Sequence, residues 1–426
     1  MIIICEPQCK GISHEKFNSG FIYGLRLAFP AEKILFFSHA SHIQAIQKIL
    51  IQDGTAVKNI EYVPIRYGDP FSLTGIPRYY RVLHRLFSAA LKNGSDKVFF
   101  LSYSPLILYL IKKLKQKSKF LSMKFTFVLH GGFENIVPPA DKVGRISLRE
   151  KKINDVSGAE KMSEISFYEL ASKLTKKIKL FFAKPLQSAS ANIFEEKKML
   201  LWQHSNDFRY IALGPHVREN AKKYIDVDNL NMHTIVLPTT FEAMNPQPKN
   251  DHIKFGIFGY GNSLMLYNIA VLLSERAIKN NYEIRIIGMD NRGIASFPNI
   301  TCPGAGRVLD RTEMKKYAED IDVFLILYDK DRYLVTCSGS IMESLSHSKP
   351  ILHFNNDCIN AFNTIQDPIG FRCDSLNEFA DKMESMIENY KDYVPQLEKF
   401  RKNISNVRNK YSIENSVNNF KNSFIW

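Results

Sequence analysis

The 426 residues suffice for two or three domains, each able to bury its own core, and the 45% hydrophobic content is ordinary for a globular protein. The formal net charge of +14 lies entirely in the first half: residues 1–248 carry 35 Lys and Arg against 21 Asp and Glu, whereas residues 249–426 carry 22 of each. That asymmetry points to a polyanionic partner such as a membrane surface or a nucleic acid, while six cysteines with no CxxC pair and no zinc-like spacing exclude a structural zinc reading and fit free thiols in a reducing cytosol.

Residues 1–5 form a short apolar run without a basic leader, so they read as a first strand and not as a signal peptide. Residues 10–28 hold His14, Glu15, Asn18, Ser19 and Gly20 ahead of an apolar helix expected to begin near Phe21. Further strands are expected at 33–38, 97–102 and 125–130, with helices between them. At the end of the last stand His130, Gly131, Gly132 and Glu134, where a histidine followed by two glycines is well placed for cleft chemistry. Segments 78–92, 106–124 and 173–184 interleave basic with apolar residues and read as amphipathic helices able to lie on a membrane. The polar, basic stretch 143–184 reads as helical excursions, and two more strands follow at 210–213 and 234–238. The longest apolar run, 98–111, is too short to span a bilayer.

The prolines and asparagines of 242–251 read as a linker between two α/β halves. Beyond it come a strand at 253–258, the turn Gly259, Tyr260, Gly261, Asn262, a helix at 264–279, and strands at 283–287 and 300–302. A loop containing Arg307 precedes a helix at 311–318 and a near-continuous apolar strand at 322–328. A loop containing Arg332 then leads into Ser338, Gly339 and Ser340, a helix carrying Glu343, and another strand from Ile351. This alternation predicts a parallel sheet in each half, domains at 1–245 and 250–404, and a C-terminal helix at about 405–426 that packs back on the first domain. No P-loop, zincin, nucleophile-elbow or clustered metal-ligand motif is present.

The stretch from Ser338 to Ile351, with the turn at Gly259 and Gly261, resembles the donor-sugar subsite of GT-B glycosyltransferases, and especially glycosyltransferase family 4 and its relatives in bacterial surface-polysaccharide synthesis. The resemblance implies an α/β GT-B fold of two Rossmann-like, doubly wound domains facing a central cleft. It implies that Glu343, the second of a glutamate pair eight positions apart, binds a nucleotide ribose. The first position of that pair is Val335 here. Gly259, Gly261, Ser338, Gly339 and Ser340 would approach a donor diphosphate through backbone N–H groups. Where the family places Arg and Lys after the turn, this chain has Ser263, Leu264 and Met265, so Arg307 or Arg332 is expected to supply the cation. Glu15, His130 and Glu134 are the candidate catalytic residues.

On this reading the protein is a cytoplasmic enzyme, peripheral on the inner face of the cell membrane. It takes a nucleotide sugar and a saccharide or lipid-linked acceptor, for lipopolysaccharide or capsule, with no cofactor. No metal is expected, because the two Asp-x-Asp pairs, at 320–322 and 329–331, fall at a strand start and in a GT-B-like loop. Two other classes remain open: a non-catalytic GT-B-like subunit scaffolding a partner transferase, and a basic nucleic-acid-binding protein, the latter disfavoured by apolar residues among the basic ones and by the lack of any nucleic-acid motif.

Overall fold

The computed structural model describes residues 1–55, 58–66, 75–138, 195–241, 250–259, 262–288, 297–304, 307 and 309–424. Gly261, the stretch 143–184 and most of the 242–251 linker lie outside the described residues.

The first sheet comprises β1 (Ile2–Glu6), β2 (Ile34–Ser38), β3 (Ile60–Pro64), β4 (Lys97–Phe100), β5 (Lys124–Val128), β6 (Phe208–Leu213) and β7 (Met232–Ile235). All pair in parallel in the order β3-β2-β1-β4-β5-β6-β7. The described helices of this half are α1 (Glu15–Ala28), α2 (Ala40–Gln52), α3 (Gly75–Lys92), α4 (Pro105–Lys115), α5 (Glu196–Leu201) and α6 (Pro215–Ala221). Strands such as IIICE and ILFFS are buried along their whole length, because helices cover both faces of the sheet.

The second sheet comprises β8 (Lys254–Phe258), β9 (Glu283–Ile287), β10 (Ile300–Thr301), β11 (Val323–Ile326), β12 (Ile351–Phe354) and β13 (Gly370–Cys373), parallel in the order β10-β9-β8-β11-β12-β13. Its helices are α7 (Ser263–Ser274), α8 (Arg311–Glu319), α9 (Gly339–Ser346), α10 (Asp357–Asn360), α11 (Leu376–Glu388) and α12 (Tyr390–Tyr411), and the chain closes with α13 (Val417–Phe424). In both sheets the order reverses beside the first strand of the half, and ligands of doubly wound folds settle outside the strand ends at such a switch point.

The last helix belongs to the first domain's core. Phe420 and Phe424 pack edge-on against Phe21 of α1, and Phe424 also meets Phe99 of β4. Two glycines of α1 admit these neighbours: a Cβ at Gly24 would stand 2.7 Å from the Phe420 ring, and one at Gly20 would stand 2.5 Å from the Pro238 carbonyl oxygen. The closeness at Gly20 thus serves backbone packing of the chain leaving β7.

Two lysines expected on a membrane-facing surface are internal instead. Lys112 is 1% exposed, and its Nζ donates to the carbonyls of Met199, Leu200 and Trp202 at the C-terminal end of α5. Those carbonyls have no intrahelical partner, so a buried ammonium satisfies them and the helix's negative pole together. Lys115 is likewise buried, bonded to the Leu121 carbonyl and paired with Asp207 at 3.0 Å.

Candidate functional site

A cavity of about 520 Å³ opens between the start of α1 and the second half of α2 on one side and the start of α8 and the middle of α9 on the other. Each half contributes from the carboxyl edge of its sheet. The second half brings Glu343 on α9, Arg311 at the start of α8, and Lys315; the first half brings His14, Glu15 and Lys16.

Ser338 caps α9, its Oγ accepting from the Ser340 N–H at 3.1 Å and pairing with the Tyr328 hydroxyl at 2.7 Å. A Cβ on Gly339 would meet nothing within 4 Å, so this helix start faces open space. Gly259 follows β8 with φ +69°, in the left-handed region, and a Cβ there would stand 3.2 Å from Ser340 Oγ. Ser340 Oγ in turn donates to the Phe258 carbonyl at 3.3 Å. The end of β8 and the N-terminus of α9 therefore meet at Gly259 and Ser340.

One turn further along, both Glu343 oxygens accept from Lys16 Nζ, at 2.9 and 3.0 Å. Burial raises the Glu343 carboxyl, but Lys16, helped by His347 and Arg311, outweighs it and holds the group below its ordinary value. Arg311 reaches across the cleft to Asp53 at 2.6 Å, and Thr240 donates to the other Asp53 oxygen.

The three candidate catalytic residues differ in their surroundings. Glu15 is the first residue of α1 and lines the cavity; burial pushes its carboxyl up while Arg311 and Lys48 pull it down, for a net rise toward useful basicity. His130 stands behind the cavity wall, its ring 5.0 Å from that of His14 and 4.7 Å from Phe17. Burial, with His14 beside it, pushes the imidazole down to about 3, so it is neutral at physiological pH and suited to hydrogen bonding more than to taking a proton. Glu134 accepts from the Val335 N–H at 3.0 Å and the Thr336 hydroxyl at 2.8 Å, which makes it a strut between the domains.

That strut is one of several. His216 Nε2 donates to the carbonyls of Tyr333 and Thr336, and Asn220 Nδ2 donates to Leu334 O and Asp357 Oδ2. Val335 itself is fully buried within the first domain's apolar core. This accounts for the absent first glutamate: a carboxylate there would be desolvated among apolar side chains.

Neither expected phosphate cation lines the cavity. Arg307 is exposed and forks onto Glu313, whose carboxylate also completes the capping box of α8. Arg332 lies over the Tyr333 ring at 5.2 Å. The cations that do line it, Lys16, Lys48, Arg311 and Lys315, were missed, because nothing in the local sequence distinguishes them from solvated charges. Among the described residues no three His, Cys, Asp or Glu side chains converge as a metal site would require.

The comparisons with known proteins follow the same geometry. No protein-family model matches the chain, and no curated protein sequence does. Solved structures match over their whole length. A glycosyltransferase from Rickettsia africae is 12% identical with a TM-score of 0.56, covering 99% of this chain and 97% of its own. TarM from S. aureus, solved with UDP, is 11% identical with a TM-score of 0.57, covering 100% and 99%. WaaB, a lipopolysaccharide outer core galactosyltransferase, is 10% identical with a TM-score of 0.54, covering 99% of each chain. With two parallel, doubly wound sheets facing one cleft, this chain has the GT-B fold.

Proposed function

We propose that the protein is a glycosyltransferase that moves a sugar from a nucleotide-sugar donor to a saccharide or lipid-linked saccharide of a bacterial surface polysaccharide. The observation that carries this reading is Glu343, which lines the cleft on a helix with open space at its first residue and is held across that cleft by Lys16. The GT-B neighbours support it, one of them having been solved with UDP and another acting on the lipopolysaccharide outer core.

In the reaction an acceptor hydroxyl displaces the nucleoside diphosphate at the anomeric carbon. Ribose hydroxyls take the Glu343 carboxylate, which frees Lys16 for the diphosphate. Charge growing on the departing phosphate meets the N–H groups of α9 and the Lys16 and Arg311 side chains, so protein cations take the place of a metal ion. For an inverting reaction Glu15 is the base, with His130 as a neutral hydrogen-bonding partner; a retaining reaction needs no such base.

The same enzyme would sit on the cytoplasmic face of an anionic membrane. Helix α3 buries Tyr79, Leu83, Leu86 and Phe87 and presents Arg78, Arg81, Arg85 and Lys92 to solvent. No described helix is long and apolar enough to cross a membrane.

Melting of the purified chain against UDP, GDP, CDP and CMP sugars tests the donor reading, because a ligand bound by the folded state raises its stability as concentration rises. One nucleotide class should raise the melting temperature, and transfer or donor hydrolysis with it should survive chelation of metals. A chain indifferent to every nucleotide would end this proposal. Binding without hydrolysis or transfer would favour a non-catalytic scaffold, the reading that the loss of the first glutamate to Val335 favours.

A further inference from the structure

The first turn of α1, which brings Glu15 and Lys16 to the cavity, is tied to a buried polar chain that no step above uses. Glu6 ends the otherwise apolar strand β1 and is fully buried. Its Oε1 accepts from the Gln8 N–H at 2.8 Å, the Cys9 N–H at 3.2 Å and the Ser102 hydroxyl, and its Oε2 accepts from Asn18 Nδ2 at 3.5 Å. Asn18 stands on α1 three residues beyond Glu15 and is also fully buried. The same Nδ2 lies 2.8 Å from Nε2 of His42, a buried residue in the first turn of α2. His42 in turn meets the Gly11 carbonyl through Nδ1 at 2.8 Å.

The direction of every donation is fixed. A backbone carbonyl only accepts, so His42 carries its proton on Nδ1 and offers a lone pair at Nε2. Glu6 Oε2 and His42 Nε2 are then both acceptors, and the Asn18 amide must turn its NH2 to them, one hydrogen to each. Burial, with His14 and His39 nearby, pushes the His42 imidazole down against the Gly11 carbonyl and Glu6, which keeps the ring neutral as this arrangement requires.

The chain of bonds begins and ends on one loop. Glu6 holds residues 8 and 9, His42 holds the Gly11 carbonyl, Ser41 Oγ accepts the Gly11 N–H at 3.0 Å, and Tyr79 of α3 donates to the Pro7 carbonyl at 3.4 Å. The loop needs this hold. It passes through the left-handed region at Gly11 and again at His14, where a side chain disfavours that conformation, and α1 then opens without a side-chain cap. A buried carboxylate answered by two N–H groups, a hydroxyl and an amide is desolvated at a cost; what it secures in return is the path of the loop.

We propose that Glu6, Asn18 and His42 are positioning residues of the transfer reaction, a relay from β1 through α1 to α2 that sets the 7–14 loop and the first turn of α1 so that Glu15 and Lys16 stand in the cleft. The inference rests on the donor reading above for what Glu15 and Lys16 do there. None of the three lines the cavity. Their loss leaves Glu343 and the second domain as they are, so nucleoside binding persists, while Lys16 loses its aim at the diphosphate and Glu15 its aim at the acceptor hydroxyl.

The test uses the whole chain carrying Asn18→Ala or Glu6→Gln, each checked for an unchanged circular dichroism spectrum. Glu6→Gln keeps an oxygen for the loop N–H groups and turns an NH2 against that of Asn18. In both, hydrogen exchange should quicken in a peptide over 7–16 and stay as in wild type across α9. Titration with UDP and uridine, or with the GDP or CDP pair if melting selects it, should show the diphosphate weakened about threefold or more and the nucleoside spared. Asn18→Ala should add no further weakening to Lys16→Ala, as expected of residues that act through one network. Turnover should fall about tenfold or more, a larger change than in the donor KM. Unchanged exchange over 7–16, wild-type turnover in both variants, equal weakening of nucleoside and diphosphate, or a full additional loss on Lys16→Ala overturns the proposal. A wild-type chain that binds no nucleotide, with exchange over 7–16 still quickened in the variants, would end it through the donor reading instead, so the two failures are told apart.

Discussion

Lys16 and Glu343 stand 327 residues apart in the chain and 2.9 Å apart across the cleft. The ion pair keeps a carboxylate ionised at low solvent exposure, its two side chains being 21% and 24% exposed. On the proposed function, a donor entering the cleft would exchange this contact for two others, ribose on Glu343 and diphosphate on Lys16.

Glu343→Ala and Lys16→Ala should separate those halves. Loss of Glu343 should weaken nucleoside and nucleotide binding alike, by roughly 1.5–3 kcal/mol or about ten- to a hundredfold. Loss of Lys16 should weaken a nucleoside diphosphate and spare the nucleoside. Titration calorimetry with both ligands checks this; equal losses in the two variants would put Lys16 elsewhere than on the phosphates.

The cleft cations lead to a ranking. Arg311→Gln should lower turnover more than it weakens nucleoside binding, because the charge it faces grows in the transition state. Arg307→Gln and Arg332→Gln should behave as wild type, since Arg307 is committed to Glu313 and Arg332 lies over Tyr333. Steady-state kinetics on the three variants decides the order.

A buried carboxyl gives the protein a pH signature. Glu196 is 4% exposed and accepts from the Tyr103 hydroxyl at 2.5 Å; burial pushes it up to about 7 from an ordinary 4.5, with Tyr103 opposing. Between those values the folded chain holds a proton that the unfolded chain has released, so this stabilisation is complete below pH 4.5 and is lost as pH rises through 7, by roughly 3 kcal/mol. His130 and His353, pushed down to about 3 and about 4, act the other way in acid, because the unfolded chain takes up protons that they refuse. Denaturant unfolding of wild type and Glu196→Gln from pH 4.5 to 8 isolates the carboxyl, and the difference between the two should drift in favour of Gln as pH rises. A constant difference would show that Glu196 is ionised in the fold throughout.

Charge reversal can distinguish surface from interior lysines. Arg81→Glu with Arg85→Glu should weaken binding to anionic liposomes by about 1 kcal/mol per residue and leave the melting temperature in place. Lys112→Met should do the opposite, stranding three buried carbonyls at a cost of roughly 1–3 kcal/mol each while liposome binding persists. Flotation assays that find no liposome binding at low salt would turn the basic face toward a soluble polyanion.

Gly20→Ala adds one methyl group against a backbone carbonyl that cannot rotate away. The expected loss is about 1–3 kcal/mol. Its measure is the denaturation midpoint, with Ser19→Ala as a neighbouring control.

The strands that were most legible in the sequence are those buried on both faces, such as Ile2–Glu6 and Val323–Ile326, because a continuous apolar run needs no partner to be recognised. Ile60–Pro64 escaped notice as the edge strand, half-exposed and ending in proline, and Gly370–Cys373 as a short edge strand opened by glycine. Helix α1 begins at Glu15 and not near Phe21, since its N-cap is His14 in a left-handed conformation with no side-chain cap to announce it. Within the candidate site, Ser338 to Glu343 was visible because strand, cap and carboxylate lie within one local stretch. Lys16 and Arg311 were not, for their partners are 327 and 258 residues away and only the closed cleft brings them together.

The return of α13 to the first sheet fixes an order of events during synthesis. Phe21 and Phe99 leave the ribosome before the second domain is made, yet Phe420 and Phe424, which cover them, are made only after it. Throughout translation of the second domain the nascent first domain carries an unsealed apolar face, a period in which chaperones or misassembly compete for it. A first half produced alone would keep that face indefinitely, and adding 412–424 as a separate helix is the direct way to close it.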